Sequence, residues 1–253
     1  MRVVLIPGWN EGADKMQLLV DGHGGEPGLA ARGFDCAIFN GGKGSLSARI
    51  DQFAQFIAGI RAAGAPDEEI GLFGYSAGGL VARGLLRAYP DAGIRAIFQL
   101  AAPNAGIATD DPRGVLHRIH FDRNVIEDLD LESQFMLWLN ETPGHWETGE
   151  HGAKRWKLDK PPWIAPAHVP IFNLVGRMPR YHNTSDGVVA VDSATMNGAV
   201  PHGFVGGNRA NHLNLSGVWN PLTLVLRGWR SDDRLWPLAV EAATRLFAEK
   251  PAG

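Results

Sequence analysis

Cysteine is almost missing from this 253-residue chain: Cys36 stands alone, so no internal disulfide can staple the fold. It lies within Phe34-Asp-Cys-Ala-Ile-Phe39, which has the look of a buried strand and makes Cys36 a small, inert core residue. Long hydrophobic runs are missing too. No apolar stretch reaches the roughly 18 residues that a membrane-spanning helix needs. The first residues, Met1-Arg-Val-Val-Leu-Ile-Pro-Gly8, lack the charged region, apolar region and cleavage site of a secretory signal, so a cytoplasmic location is expected. Nor is there an excess of positive charge. A formal net charge of −3 excludes a large sequence-independent affinity for nucleic acid. Neutral small-molecule or lipid esters, and peripheral contact with a lipid surface, stay compatible with it. No internal repeat or low-complexity tract interrupts the chain.

What is there is ordinary globular composition, 45% hydrophobic and 20% charged, at a length that fits one α/β domain with a modest cap. Short apolar runs ending in Gly, Pro or Asn alternate with stretches of helical period, the pattern of βαβ units on a parallel sheet. The predicted strands are Val3–Ile6, Cys36–Phe39, Ile70–Phe73, Ile94–Leu100, Val169–Val175 and a shorter one near Phe204. Helical register is carried by Ile50–Ala63, Leu80–Tyr89 and Leu235–Glu249. From Asn104 to Pro166 no strand is predicted, yet Phe121, Phe135, Trp138, Trp146, Trp156 and Trp163 fall there. Such a stretch is either a cap over the sheet's carboxyl edge or a helical insertion using its aromatics as a private core. Within it, Lys154-Arg-Trp-Lys157 is a short basic cluster, the pattern of a solvated face rather than an anionic-surface site.

The chemistry starts at Gly74-Tyr-Ser-Ala-Gly78, between the apolar run ending at Phe73 and the helical stretch beginning at Leu80. A serine at a sharp strand-to-helix turn is held in strained backbone geometry, and small residues two before and two after keep strand and helix apart. Its hydroxyl then projects at the amino end of a helix, whose dipole favours developing negative charge. The plainer alternative is a glycine-rich turn with an incidental serine. A nucleophilic Ser76 needs a base, and the base needs an orienting carboxylate, in the chain order Ser, acid, His. Asp186 of Asn183-Thr-Ser-Asp-Gly-Val-Val follows the next long strand but one, on a polar loop. His212 of Asn211-His-Leu is the last histidine and follows the final strand. His202 and His182 compete for the role of base, but His202 falls before or within that strand and His182 precedes the acid. For an oxyanion, the backbone N–H of Ala77 is one expected donor and that of Trp9, in Ile6-Pro-Gly-Trp-Asn10, the other. Asn10 is the alternative donor, and Asn10 and Tyr75 are the expected substrate contacts.

Taken in order, Gly-Tyr-Ser-Ala-Gly, Ser-Asp-Gly-Val-Val and Asn-His-Leu resemble the α/β-hydrolase lipases of the bacterial triacylglycerol lipase type. Leu100-Ala-Ala-Pro-Asn-Ala-Gly106 is similar to their Thr-Pro-His-x-Gly stretch, and Asp128–Asn140 to a segment contributing to the lid. The resemblance implies an α/β-hydrolase fold over residues 1–253, with a cap or lid at 104–166. It also implies Ser76, Asp186 and His212 as the triad, and an acyl pocket beneath the cap. Three features depart from that type. Pro7-Gly8 replaces the usual His-Gly, and Asn214 stands where an acidic residue helps to bind calcium, so neither metal nor cofactor is expected. The chain also opens directly on the strand before the oxyanion loop, implying a minimal sheet of about six parallel strands. The expected activity is a carboxylesterase or lipase working through an acyl-enzyme. A thioesterase or amidase on the same triad, or a non-catalytic binding module of the same fold, are the alternatives. Oligomeric state is not indicated.

Overall fold

In this computed structural model the described residues are 1–8, 13–23, 25–41, 44–65, 67–108, 123–148, 154–177, 179, 184–186, 188–206 and 236–249. Ten strands occur among them: β1 (Arg2–Ile6), β2 (Gly22–His23), β3 (Glu26–Pro27), β4 (Asp35–Ile38), β5 (Ile70–Tyr75), β6 (Ile94–Leu100), β7 (Gly144–Thr148), β8 (Lys154–Leu158), β9 (Ile171–Arg177) and β10 (His202–Gly206). The helices are α1 (Ala13–Asp21), α2 (Leu46–Ala63), α3 (Ala77–Ala88), α4 (Arg123–Leu129), α5 (Gln134–Asn140), α6 (Val191–Thr195) and α7 (Trp236–Ala248).

Six strands make one parallel sheet in the order β10-β9-β6-β5-β1-β4. Each corresponds to one predicted apolar run. The central runs are legible because a parallel sheet covered on both faces needs apolar residues at every position, not at every second one. The edge strand β4 is only part-buried, so Cys36 is half-buried and not the core residue expected. Val4, Ile6, Leu72 and Ile97 face a core shared with α2 and α3, while Val3, Leu5, Phe73 and Phe98 face the layer of α1 and α7. The chain runs from β1 outward to β4, then crosses back past β1 to β5 and continues outward through β6, β9 and β10. Strand order therefore reverses between β1 and β5. In open α/β sheets the crevice beyond the carboxyl ends of the strands at such a reversal is where ligands bind.

Helix α2 buries Leu46, Ile50, Phe53, Ile57 and Ile60, one stripe at helical spacing, and Ser45 caps it by accepting from the Ala48 N–H at 3.2 Å. Helix α3 differs. Every residue from Ala77 to Leu86 is buried, so it is enclosed by the sheet, by α2 and by the segment 104–166.

That segment departs from expectation. It contains an antiparallel hairpin, β7 against β8, where the sequence predicts no strand. Trp146 sits opposite Trp156 with the rings edge-on at 5.5 Å, and the flanking pairs are His145 with Lys157 and Glu147 with Arg155. The alternation of tryptophan with charge is a strand signal of period two, but two five-residue strands with one exposed face are too short to stand out. Lys157 pairs with Glu147 at 2.9 Å, both about half exposed, as a solvated face requires. The aromatics do not form a private core: Phe135 and Trp163 pack into the α2 and α3 layer, while Trp138 and Trp146 are more than a third exposed. Phe121 lies outside the described residues. No described helix is long and apolar enough to cross a membrane.

Candidate active site

Strand β5 ends at Tyr75 and α3 begins at Ala77, so Ser76 is the whole connection between them. One residue cannot turn a strand into a helix with ordinary dihedrals. Ser76 has φ 51° and ψ −124°, a positive φ that a side chain rarely adopts and that costs about 1–3 kcal/mol. Two bonds hold it there: its N–H donates to Leu100 O at 2.8 Å, and its carbonyl accepts from Gly79 N–H at 2.9 Å. From Ile70 to Leu86 it is the one residue that is not buried. The turn thus lifts a single hydroxyl-bearing side chain out of an otherwise closed strand and helix.

The flanking glycines are required by close approach. A Cβ on Gly74 would lie 2.6 Å from the Gly79 backbone, and one on Gly78 would lie 2.2 Å from Ile6 O and 2.7 Å from Pro7 O. Backbone atoms are what it would strike, so no rotamer change gives relief. Gly78→Ala is expected to lose about 3 kcal/mol of stability, measured as a lower urea midpoint. An unchanged midpoint would mean that the start of α3 is not pressed against the end of β1. The contact matters because it brings Ala77, whose N–H has no partner within the helix, beside the loop leaving β1. Pro7 O in that loop also accepts from Nη2 of Arg49 at 3.1 Å, and Arg49 is a buried residue of α2. Trp9 and Asn10, the expected second oxyanion donor and its alternative, lie outside the described residues. Tyr75 is 1% exposed, with its side chain in the core layer of α1 and α7.

Asp186 follows β9 at the same carboxyl edge of the sheet and is fully buried. Its Oδ1 accepts from Val188 N–H at 2.9 Å and Val189 N–H at 2.7 Å, and its own N–H donates to Val189 O at 3.2 Å. The carboxylate therefore organises its own tight loop, which Ser185 closes by donating Oγ–H to Val189 O at 3.0 Å. His212 and His182 lie outside the described residues. His202 opens β10, and so stands at the amino edge of the sheet, the edge away from Ser76 and Asp186. Its Nδ1 lies 2.7 Å from Val200 O, and its ring packs edge-on to Phe204.

Behind these residues lies a buried polar cluster to which no sequence pattern assigns a role. Gln99 on β6 and Asn173 on β9 are register partners, each a polar residue inside an apolar run. That interruption was the available signal. Asn104, four residues past β6, joins them, and so does Arg83 on α3. The Arg83 guanidinium is fully buried among neutral oxygens: Ile164 O at 3.1 Å, Asn104 O at 3.2 Å, Asn104 Oδ1 at 3.3 Å, Asn140 Oδ1 at 3.0 Å and Trp163 O. Burial pushes its pKa down to about 9. One side chain on the serine-bearing helix thus grips the segment 104–166 at its start, middle and end. Arg87, one turn further, pairs with Glu141 and lies over the Trp163 ring.

A cavity of about 1220 Å³ lies between α2 and the turn from α3 into β6, lined by Asp51, Ile57, Arg61 and Tyr89. It opens at the amino edge of the sheet, away from Ser76.

The sequence matches no protein-family model and no curated protein. Solved structures do match. Similar ones are the mature lipase BlEst2 of Bacillus licheniformis (TM-score 0.61, 14% identity, 89% of this chain and 91% of that one), the lin2722 product of Listeria innocua (0.58, 13%, 100% and 95%) and the metagenomic carboxyl esterase MGS0156 (0.57, 16%, 96% and 74%). A parallel six-stranded sheet flanked by helices, in a chain that matches lipase and esterase structures over most of its length, is the α/β-hydrolase fold.

Proposed function

We propose that this protein is a carboxylic ester hydrolase, an esterase or lipase, with Ser76 as nucleophile, His212 as base and Asp186 as the carboxylate that orients it. The observation that carries the reading is Ser76 itself. From Ile70 to Leu86 it is the one residue not buried, held at φ 51° at the amino end of α3, at the reversal of strand order. A protein keeps such strain where the exposed group has work to do. The names of two similar structures, a lipase and a carboxyl esterase, favour esters as the acyl donor.

The chemistry is a two-step acyl transfer. His212 takes the Ser76 proton as Oγ attacks the ester carbonyl, and the resulting oxyanion is held by the N–H groups of Ala77 and Trp9. His212 then protonates the leaving alcohol. Water, activated by the same histidine, attacks the acyl-enzyme and releases the acid. Asp186, fixed through Oδ1 by two N–H groups, is the carboxylate that orients the imidazole. The segment 104–166, gripped by Arg83, acts as a cap whose lining sets the acyl group.

A fluorophosphonate probe should label Ser76 at one equivalent per chain, with loss of p-nitrophenyl butyrate hydrolysis in step with labelling. Labelling at another residue, or none, would overturn the assignment. Rates on matched butyrate and palmitate esters and on an acyl-CoA then choose among esterase, lipase and thioesterase.

A further inference from the structure

The Asp186 loop and the Ser76 turn come from different strands, β9 and β5, with β6 between them in the sheet. Catalysis needs them fixed relative to each other within a fraction of an ångström, since a misplacement of about 1 Å costs on the order of a hundredfold in rate. Resting on the reading of Ser76 and Asp186 above, we infer that Asn104 is a positioning residue that ties the acid-bearing loop to the first turn of the nucleophile helix.

The tie can be followed atom by atom. Gln99 donates from Nε2 to Gly79 O at 3.0 Å, and Gly79 is the residue whose N–H holds Ser76 O. The same Nε2 donates to Asn104 Oδ1 at 3.0 Å, and Asn104 Nδ2 returns a bond to Gln99 Oε1 at 2.7 Å. These two amides are locked face to face. Asn104 Nδ2 also donates to Ala194 O at 3.0 Å, and Asn173 Nδ2 reaches the same carbonyl at 2.9 Å. Ala194 belongs to α6, which starts only five residues after Asp186. Val191 N–H at that start bonds back to Thr184 O, so the acid loop is closed onto the helix that Asn104 holds.

Nothing in this path is loose. Gln99, Asn104 and Asn173 are all 0% exposed, where the interior strengthens each hydrogen bond. The Asn104 amide is also saturated: Oδ1 accepts from Gln99 and Arg83, and Nδ2 donates to Gln99 and Ala194. A residue that only filled space would not need both donors and both acceptors. Aspartate at 104 has nearly the same shape and keeps an acceptor for Arg83, but it turns lone pairs toward Ala194 O and Gln99 Oε1. It removes the link that runs from Gln99 through Asn104 to Ala194 O, leaving Asn173 as the one side-chain donor there, and keeps the grip of Arg83 on the segment 104–166 in place.

The test compares Asn104→Asp with the wild type, whose hydrolysis and Ser76 labelling are measured first. The variant should lower kcat by about ten- to a hundredfold with KM within about twofold. An ionised Asp186 beside the imidazolium favours its charged form, so a carboxylate that drifts away lowers the pKa of the base. The acid limb of the kcat/KM profile should therefore move down by about one pH unit, which loss of folded protein alone would not do. Independently of activity, the Val188 and Val189 amides, which bond to Asp186, should exchange with solvent about tenfold faster. Amides and acid limb both unchanged would overturn the inference, as would a kcat loss matched by loss of folded protein. An inactive, unlabelled wild type would overturn the hydrolase reading instead, with amide exchange still deciding whether Asn104 holds the loop. If Asn104→Asp does not fold, Asn104→Ala removes the same donor while Arg83 keeps Ile164 O, Asn104 O, Asn140 Oδ1 and Trp163 O, and it is read in the same way.

Discussion

Ser76→Ala is expected to lower kcat for a p-nitrophenyl ester by roughly 10⁴- to 10⁶-fold with little change in KM. The substitution removes the nucleophilic oxygen and nothing else that the mechanism uses. Both proposed oxyanion donors are backbone groups, so they survive and leave a residual rate of about 10³–10⁴ over water. Stability should barely move, because alanine carries the same Cβ at the same φ of 51° and inherits the same strain. Ser76→Gly separates the two effects. It should be equally inactive yet more stable by about 1 kcal/mol or more, since glycine tolerates a positive φ. Activity within tenfold of wild type in the alanine variant would remove Ser76 from the chemistry. A glycine variant no more stable than the alanine one would mean that the turn stores no strain.

Much of this was legible because the informative residues are local. Each central strand is an apolar run, and Ser76 is flagged by glycines whose necessity is now explicit: Gly78 has no room for a Cβ against Ile6 O. Asp186 is likewise a local event, a carboxylate bonding N–H groups two and three residues ahead. Other features failed for physical reasons. Helix α1 buries Met16, Leu19 and Val20, only one turn of apolar residues among glycine-rich neighbours, too short a period to detect. The β7–β8 hairpin is half solvated, with its pattern diluted by charge. Strand order was out of reach too, since the crossing from β4 past β1 to β5 is a choice among long-range pairings. The polar cluster shows the limit most clearly. Gln99 and Asn173 can be seen to interrupt apolar runs, but that they meet Asn104, and that Arg83 is buried with them, depends on contacts between distant residues.

Asp186→Asn is the second large effect, and its value lies in how little else it changes. Oδ1 receives two N–H groups, and an asparagine can place its amide oxygen in the same position and keep both bonds. The loop should hold its shape and the melting temperature should stay within a few degrees. What changes is the other side of the group, where Nδ2 presents hydrogens in place of a lone pair. In the proposed mechanism His212 must then turn its lone pair toward residue 186 and its N–H toward Ser76, the wrong tautomer for taking a proton. The expected loss is about 10⁴-fold in kcat, from tautomer alone. Asp186→Ala gives the contrast. It should lose a similar factor in kcat, but it also takes the acceptor from the half-buried Val188 N–H and strands the buried Val189 N–H, the latter at about 1–3 kcal/mol. Its unfolding midpoint should therefore fall well below that of the asparagine variant. Should Asp186→Asn keep kcat within tenfold, the orienting carboxylate would have to lie elsewhere. Asp192, in the first turn of α6, would then be the residue to replace.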